Sequence, residues 1–121
     1  TTDSVIVLKV PSIDASNNVI ASQYDYIVYR LQGNDLYRIV IPFTTGPTPS
    51  SRAAENRVVA RYCSSLTFSS GGVTLSNIPN LSTVNTIGVY LPLNNTTLSL
   101  SGGGSQAATI APTTIIRLRN K

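Results

Sequence analysis

The 121-residue chain has no histidine and a single cysteine, Cys63. Without histidine it cannot form a Ser-His-Asp or Cys-His catalytic arrangement, and nothing is present to activate the thiol as a nucleophile. One cysteine without histidine also argues against a zinc site and rules out an internal disulfide. Cys63 lies in a β-prone run, where we expect it to serve as a small buried hydrophobic side chain.

Charged residues are scarce as well, at 12% of the chain against a usual share of about 25%. The four aspartates are spaced by 10 or 11 residues, unlike the ligands of a calcium loop. The three glycines at 102–104 lack the lysine and the helix that follow a phosphate-binding loop. The sequence therefore predicts no enzyme, no metal or cofactor site and no small-molecule substrate.

Long apolar runs are also missing, since none approaches the roughly 18 residues of a membrane span. The nine basic and five acidic residues give a net charge of +4, and the arginines are spread along the chain. Such a distribution is typical of a mildly basic solvated surface, whereas nucleic-acid binders usually concentrate positive charge. With 41% apolar residues, the whole chain, 1–121, fits one domain with its own core.

The strongest local pattern is a hairpin predicted for Tyr24–Ile41. Gly33-Asn34 separates two β-rich runs and readily adopts the positive φ angles of a tight turn. This turn pairs Leu31 with Leu36, Tyr29 with Arg38 and Ile27 with Val40 on one face, and Val28 with Ile39 and Arg30 with Tyr37 on the other. Both faces are mostly apolar with one arginine each, which predicts cover on both sides and two stacked Arg–Tyr pairs.

The rest of the chain alternates short β-prone runs with turn signals. Strands are predicted at Ser4–Val10 (ended by Pro11), at Arg57–Ala60 and Ser64–Ser69 (as two strands or as one bent near Cys63), at 73–75 after a Gly71-Gly72 turn, at Val84–Leu93, at Leu98–Leu100 and at Thr109–Leu118. Loops are predicted at Ser12–Ser22, at 44–56, at Asn77–Thr83 and at the mobile glycine-rich segment 101–106. With seven or eight strands and no sustained helical period, the predicted fold class is all-β, built from antiparallel sheets.

Several of these runs, in this order and spacing, resemble one known family. Tyr29-Arg30-Leu31, Gly33 and Leu36-Tyr37-Arg38 look like the YRL-x-G-x-x-LYR hairpin of type IV minor pilins and type II secretion minor pseudopilins. The motifs that follow are also similar: Ser65-Leu66-Thr67-Phe68, then Ile87, Val89 and Leu91, and the terminal Arg117-Leu118-Arg119-Asn120. The resemblance extends from about Tyr24 to Lys121.

The resemblance implies a structural subunit of a pilus or secretion pseudopilus, acting through protein–protein contacts in filament or tip assembly. Family members carry an N-terminal apolar helix of membrane-spanning length, and this helix is missing from the 121 residues, so the full-length protein would be α+β. The implied partners are other pilin or pseudopilin subunits. The implied location is the bacterial cell envelope, anchored in the inner membrane through that helix before assembly and in a periplasmic or cell-surface filament afterwards.

Major pseudopilins bind calcium with aspartates near the C terminus. No acidic residue follows Glu55 here, so the likeness is to minor members.

Two alternatives remain open. A ligand- or DNA-binding tip pilin, serving adhesion or DNA uptake, would use basic side chains against phosphates and Tyr24, Tyr26 or Tyr37 against bases. A phage or capsid β-sandwich shares the Ser/Thr/Gly-rich composition. The candidate partner- or DNA-contact residues are Arg52, Arg57, Arg61, Arg117, Arg119 and Lys121. The last three alternate along the final strand and would face an acidic partner subunit, or they charge a solvated edge against aggregation.

Overall fold

Alternating apolar residues in the first half of the chain build a four-stranded antiparallel sheet, here called the first sheet. The computed structural model describes residues 4–99, 105–110 and 113–117, with side chains as far as residue 93. The first sheet contains β1 (Val5–Ile13), β2 (Val19–Gln32), β3 (Asp35–Ile41) and β4 (Glu55–Ala60), hydrogen-bonded in that order. Every connection between neighbours is therefore a local one.

The β2–β3 hairpin has the predicted register, with Leu31 opposite Leu36, Tyr29 opposite Arg38 and Ile27 opposite Val40. Gly33 takes a φ of +59°, while Asn34 does not have a positive φ. A two-residue loop with a positive φ only at its first position is a type II′ turn, which matches the twist of the flanking strands. The turn chemistry thus set the register of the whole ribbon.

The strand at the N-terminal end is longer than predicted, because Pro11 does not end it. β1 continues to Ile13, with an irregularity in register between Pro11 and Ile13. β1 is an edge strand of the first sheet, where a residue without an N–H is tolerated. The predicted loop at 12–22 shrinks to residues 14–18, where the Asp14 carboxylate accepts the N–H groups of Ser16 and Asn18 at 2.8 and 2.9 Å.

The second half of the chain forms a second sheet and a separate hairpin. The strands here are β5 (Thr67–Ser70), β6 (Val73–Thr74), β7 (Thr86–Tyr90), β8 (Leu93–Ser99), β9 (Ser105–Ile110) and β10 (Thr113–Arg117). The second sheet has the order β10-β7-β5-β6, and β8 pairs with β9. Two 3₁₀ turns, Leu75–Asn77 and Leu81–Thr83, lie between β6 and β7. Among the described residues there is no helix long and apolar enough to cross a membrane.

The runs predicted at Arg57–Ala60 and Ser64–Ser69 do contain strands, β4 and β5, but they are not one bent strand, because β4 belongs to the first sheet and β5 to the second. The reason is a tertiary contact: the Cys63 N–H donates to the Asn34 carbonyl at the tip of the β2–β3 hairpin, at 2.9 Å, and the chain turns there. The predicted closing strand 109–118 is also two strands, β9 and β10, while residues 111–112, 118 and the glycines at 102–104 lie outside the described residues.

The core lies between the two sheets, and the fold is all-β as predicted. Its buried members come from both sheets and from the segments between them: Ile6, Leu36, Cys63, Leu66, Phe68, Leu75, Val84 and Ile87. Leu8, Tyr29 and Leu31 of the first sheet pack against this cluster. The Tyr29/Leu31/Leu36 side of the hairpin is therefore the inner face, and the Val28/Arg30/Tyr37 side is the outer face.

Candidate functional site

The outer face of the first sheet is an apolar and aromatic surface that the second sheet does not cover. We call it the open face and define it by the side chains that alternate with the core-facing ones: Val5, Val7, Lys9, Tyr24, Tyr26, Val28, Arg30, Tyr37, Ile39, Ile41 and Val58. Val7, Tyr24, Tyr26 and Ile41 are 41–52% exposed. The sequence predicted that both faces of the hairpin would be covered. Among the residues that the structure describes, only the inner face is.

Both charged members of the open face are cations that lie against tyrosine rings. Lys9 Nζ is 3.9 Å from the centroid of the Tyr24 ring, and the Arg30 guanidinium carbon is 5.9 Å from that of Tyr37. Arg30 also donates to Gln32 Oε1 at 3.0 Å. The predicted Arg30–Tyr37 stacking is confirmed. Exposed cation–π contacts contribute about 0.5–1 kcal/mol each, so these pairs help to hold the two rings in place; Tyr24 remains exposed, whereas Tyr37 is half-buried.

The size of the open face indicates what it can do. Four strands about 4.8 Å apart and about seven residues long, at about 3.3 Å per residue, give the whole face a projected area of about 440 Å². A surface of this size is within the range of the largest apolar patch on a typical monomer, about 300–600 Å², and such patches often mark interaction sites. A standard stable interface buries about 800 Å² on each partner. The open face therefore suits one contact among several in an assembly better than a self-sufficient dimer.

A buried carboxylate, that of Asp25 in β2, lies on the inner face of the first sheet at the end away from the β2–β3 turn. Asp25 is completely buried, and its Oδ1 accepts Ser12 Oγ at 2.7 Å and the Phe43 N–H at 2.9 Å. Its Oδ2 accepts Ser50 Oγ at 2.8 Å and Arg52 Nη1 at 2.7 Å. The predicted irregular segment after β3 thus folds back over β1 and β2 because this one carboxylate binds two of its side chains and one of its N–H groups.

The electrostatics of Asp25 follow from these contacts. Burial works to raise the pKa of the carboxyl, but the hydrogen bonds from Phe43, Ser12, Ser50 and Arg52 together hold the pKa below its ordinary value. Arg52 also donates to the Pro11 carbonyl at 2.7 Å, and its side chain is 27% exposed. Arg52, predicted from the sequence as a contact residue, is therefore already engaged within the fold. Sequence reasoning missed Asp25, although a carboxylate at a core-facing position of a strand is a signal for a buried partner.

Arg57, the second predicted contact residue, belongs to a group of three charges on the inner face. Glu55 Oε2 accepts a hydrogen bond from Arg38 Nη1, and Glu55 Oε1 forms an ion pair with Arg57 Nε. The hydrogen bond from Arg38, followed by that from Arg57, lowers the pKa of Glu55 against the opposing effect of desolvation. We call these residues the rim triad; two cations and one anion leave it with a net charge of +1. The Arg57 side chain remains 64% exposed.

Of the other four predicted contact residues, the structure describes the side chain of Arg61 and the backbone of Arg117. Arg61 is exposed and directly follows β4. Arg117 is the last residue of β10, and its side chain is outside the described part. Arg119 and Lys121 lie outside the described residues. The arginines at 52 and 57 bind different carboxylates, so the predicted basic residues with described side chains do not form one free patch.

An apolar cavity of about 250 Å³ lies between the two sheets. Its walls come from both sheets: Ile6, Leu8, Tyr29, Leu36, Leu66, Phe68, Ile87 and Val89. Protein interiors are normally close-packed, and this pocket, which is partly open to solvent, leaves apolar side chains of both sheets without packing partners on one side. The cavity is therefore a feature that calls for an occupant.

Cys63 is fully buried, as predicted, and burial raises the pKa of its thiol. In the part of the chain that the structure describes, no three residues among His, Cys, Asp and Glu are grouped so that they could hold a metal ion.

Comparisons with protein-family models, with curated proteins and with solved structures each found no significant match. Function is therefore inferred from the residues and geometry of the chain itself.

Proposed function

We propose that this chain is the globular head of a type IV minor pilin or a type II secretion minor pseudopilin. In this role it is a structural subunit that acts through protein–protein contacts in filament or tip assembly and turns over no substrate. The observation that carries the proposal is the open face, an aromatic and aliphatic sheet surface of about 440 Å² next to the motifs that resemble the family. Its size favours a subunit that makes several moderate contacts at once.

The proposed mechanism is assembly by surface fit. An apolar helix preceding the head would anchor the subunit in the inner membrane of the cell envelope and then pack in the core of a periplasmic or cell-surface filament. The head would meet neighbouring pilin or pseudopilin subunits through the open face. Lys9 and Arg30 favour a neighbour with carboxylates at its rim, because like charges opposite them would repel it.

The proposal is tested by charging the open face in the native host. Ile41→Asp places a carboxylate at a position that is 52% exposed, so the domain should stay folded while the contact is lost. Val73→Asp is the matched control, because Val73 is an aliphatic strand residue of similar exposure, 47%, on the second sheet. We expect Ile41→Asp to abolish filaments or secretion at unchanged protein level, and Val73→Asp to leave them intact. Normal assembly in both variants would contradict the role of this face.

The genomic reading frame tests the family itself. We expect it to encode an apolar segment of about 20 residues upstream of Thr1, directly after a processing site. A start codon immediately before Thr1 would overturn the pilin proposal. It would then favour the capsid-like alternative, in which a β-sandwich of this composition needs no anchor.

A DNA-binding tip pilin is the second candidate, and one observation favours it. Tyr24, Tyr26 and Tyr37 all lie on the open face, beside Lys9 and Arg30, which is an arrangement on which bases can stack. The ion pairs of Arg52 and Arg57 count against it, since those cations are partly neutralised. Micromolar binding of an oligonucleotide that falls steeply with salt would favour this candidate. No retention of DNA at low salt would remove it.

A further inference from the structure

The cavity between the sheets has one side that is open to solvent. Ile6, Leu36 and Phe68 at its inner end are buried, whereas Leu8, Tyr29 and Val89 are only partly buried and mark the opening. The walls are almost entirely apolar, so water inside would lack the two to four polar partners that it needs. An apolar chain entering from the open side would need none.

The rim triad lies beside the cavity wall formed by Tyr29, although none of its three side chains lines the cavity. Tyr29 is the cross-strand neighbour of Arg38, and its hydroxyl interacts with the Arg38 guanidinium. Arg38 is in turn opposite Arg57 in β4, and both bind Glu55. Two guanidinium groups share one carboxylate, which leaves one positive charge beside an apolar cavity. An anionic head group on an apolar chain matches both features.

We propose that this cavity binds one single-chain carboxylate amphiphile, with its apolar chain between the sheets and its carboxylate at the rim triad. A single negative charge complements the net charge of +1, and a volume of about 250 Å³ admits one chain. A neutral chain would gain the apolar contacts without the ion pair, and a cationic chain would meet repulsion. This inference is independent of the proposed function in filament assembly.

The first test compares three ligands of equal chain length. Decanoate, 1-decanol and decyltrimethylammonium are titrated into the 121-residue chain by calorimetry, below their micellar concentrations. We expect saturable one-to-one binding of decanoate, about threefold or more tighter than that of decanol, as for a partly exposed ion pair. The cation should bind most weakly. No saturable binding of decanoate, or equal affinity for all three ligands, would overturn the proposal.

The second test changes the charge of the rim triad in both directions. Glu55→Gln raises the net charge to +2 and should tighten decanoate binding, whereas Arg57→Gln removes the net charge and should weaken it to about the affinity of decanol. Neither change should alter the affinity for decanol. Arg61→Gln is the matched control, because Arg61 is a nearby exposed arginine outside the triad. Equal effects of Arg57→Gln and Arg61→Gln would show a general charge effect and contradict the site.

The third test locates the apolar chain. Val89→Phe fills the opening and should weaken decanoate and decanol by about tenfold or more, since each buried methylene contributes about 0.8 kcal/mol. Val58→Phe adds the same bulk on the open face and should change neither affinity. If Val89→Phe fails to fold, the opposite effects of Glu55→Gln and Arg57→Gln still decide the outcome. Loss of binding on Tyr26→Ala would place the ligand on the open face and overturn the proposal.

Discussion

Replacing Asp25 by asparagine should remove a large share of the stability of the domain. Asparagine keeps the Oδ1 acceptor of Ser12 Oγ and the Phe43 N–H, but it places an amide NH₂ where Oδ2 now accepts Ser50 Oγ and Arg52 Nη1. Arginine can only donate, so its hydrogen bond to this position is lost, whereas the Ser50 hydroxyl can turn and accept from the amide. A lost hydrogen bond to a charged group costs about 1.5–3 kcal/mol, and the amide N–H placed against the guanidinium favours the upper end, about 3 kcal/mol.

The assay is urea unfolding at pH 7, followed by circular dichroism, with the same m-value for both proteins as the check on two-state behaviour. A loss of about 3 kcal/mol should also lower the Tm by about 10 °C in a chain of this size. Asp35→Asn is the matched control, because it removes the same charge at the partly exposed tip of the hairpin. Its effect should be much smaller.

The pH dependence of the stability difference between the wild type and Asp25→Asn tests the same reasoning independently. The folded-state pKa of Asp25 is lowered, so its contribution is fully present above the unfolded-state pKa of about 3.9 and is lost as the pH falls through the folded-state pKa. The wild type should therefore approach Asp25→Asn in stability as the pH falls below about 4. Contributions of other carboxylates, such as Glu55, cancel in the comparison. A difference below 1 kcal/mol at pH 7, or one that does not shrink in acid, would refute the reasoning.

Three further predictions concern the turn, the thiol and the core. Gly33→Val should destabilise the domain by about 1–2 kcal/mol in urea unfolding, because φ is +59° there while the space around a new side chain is open; an unchanged midpoint would contradict the type II′ turn. Cys63 should react slowly with a thiol reagent at pH 8 in the native protein and rapidly in urea, since burial hides it and raises its pKa; fast native labelling would contradict its place in the core. Phe68→Ala should cost about 3–5 kcal/mol, whereas Tyr90→Ala on the neighbouring strand, 42% exposed, should cost much less; similar losses would mean that the second sheet does not bury Phe68.

The hairpin of β2 and β3 could be predicted in detail because its causes are local. A glycine at the turn and side chains that alternate with period two determine which residues lie opposite one another. The same reasoning predicted the Gly71-Gly72 turn, where both glycines have positive φ, and the all-β class. It also predicted that Cys63 would be buried, since a thiol in an apolar run behaves as a small hydrophobic group.

Other features depended on contacts between distant parts of the chain. The length of β1 past Pro11 depends on its edge position, and the separation of β4 from β5 depends on the hydrogen bond between Cys63 and Asn34. Asp25 and Arg52 are 27 residues apart, so their pairing is invisible to a local pattern. The use of Arg52 inside the fold therefore appeared only in three dimensions.

The sequence alone determined the alternation of the first sheet, including the placement of Tyr24, Tyr26 and Tyr37 on the same side as Arg30. It could not determine which side would be covered, because both sides are apolar and either could have formed the core. The tertiary structure decided this by packing the second sheet against the Ile6/Tyr29/Leu36 side, which left Tyr24 and Tyr26 exposed and Tyr37 half-buried. Period-two patterning follows from the geometry of one strand, whereas burial follows from what another part of the chain brings against it.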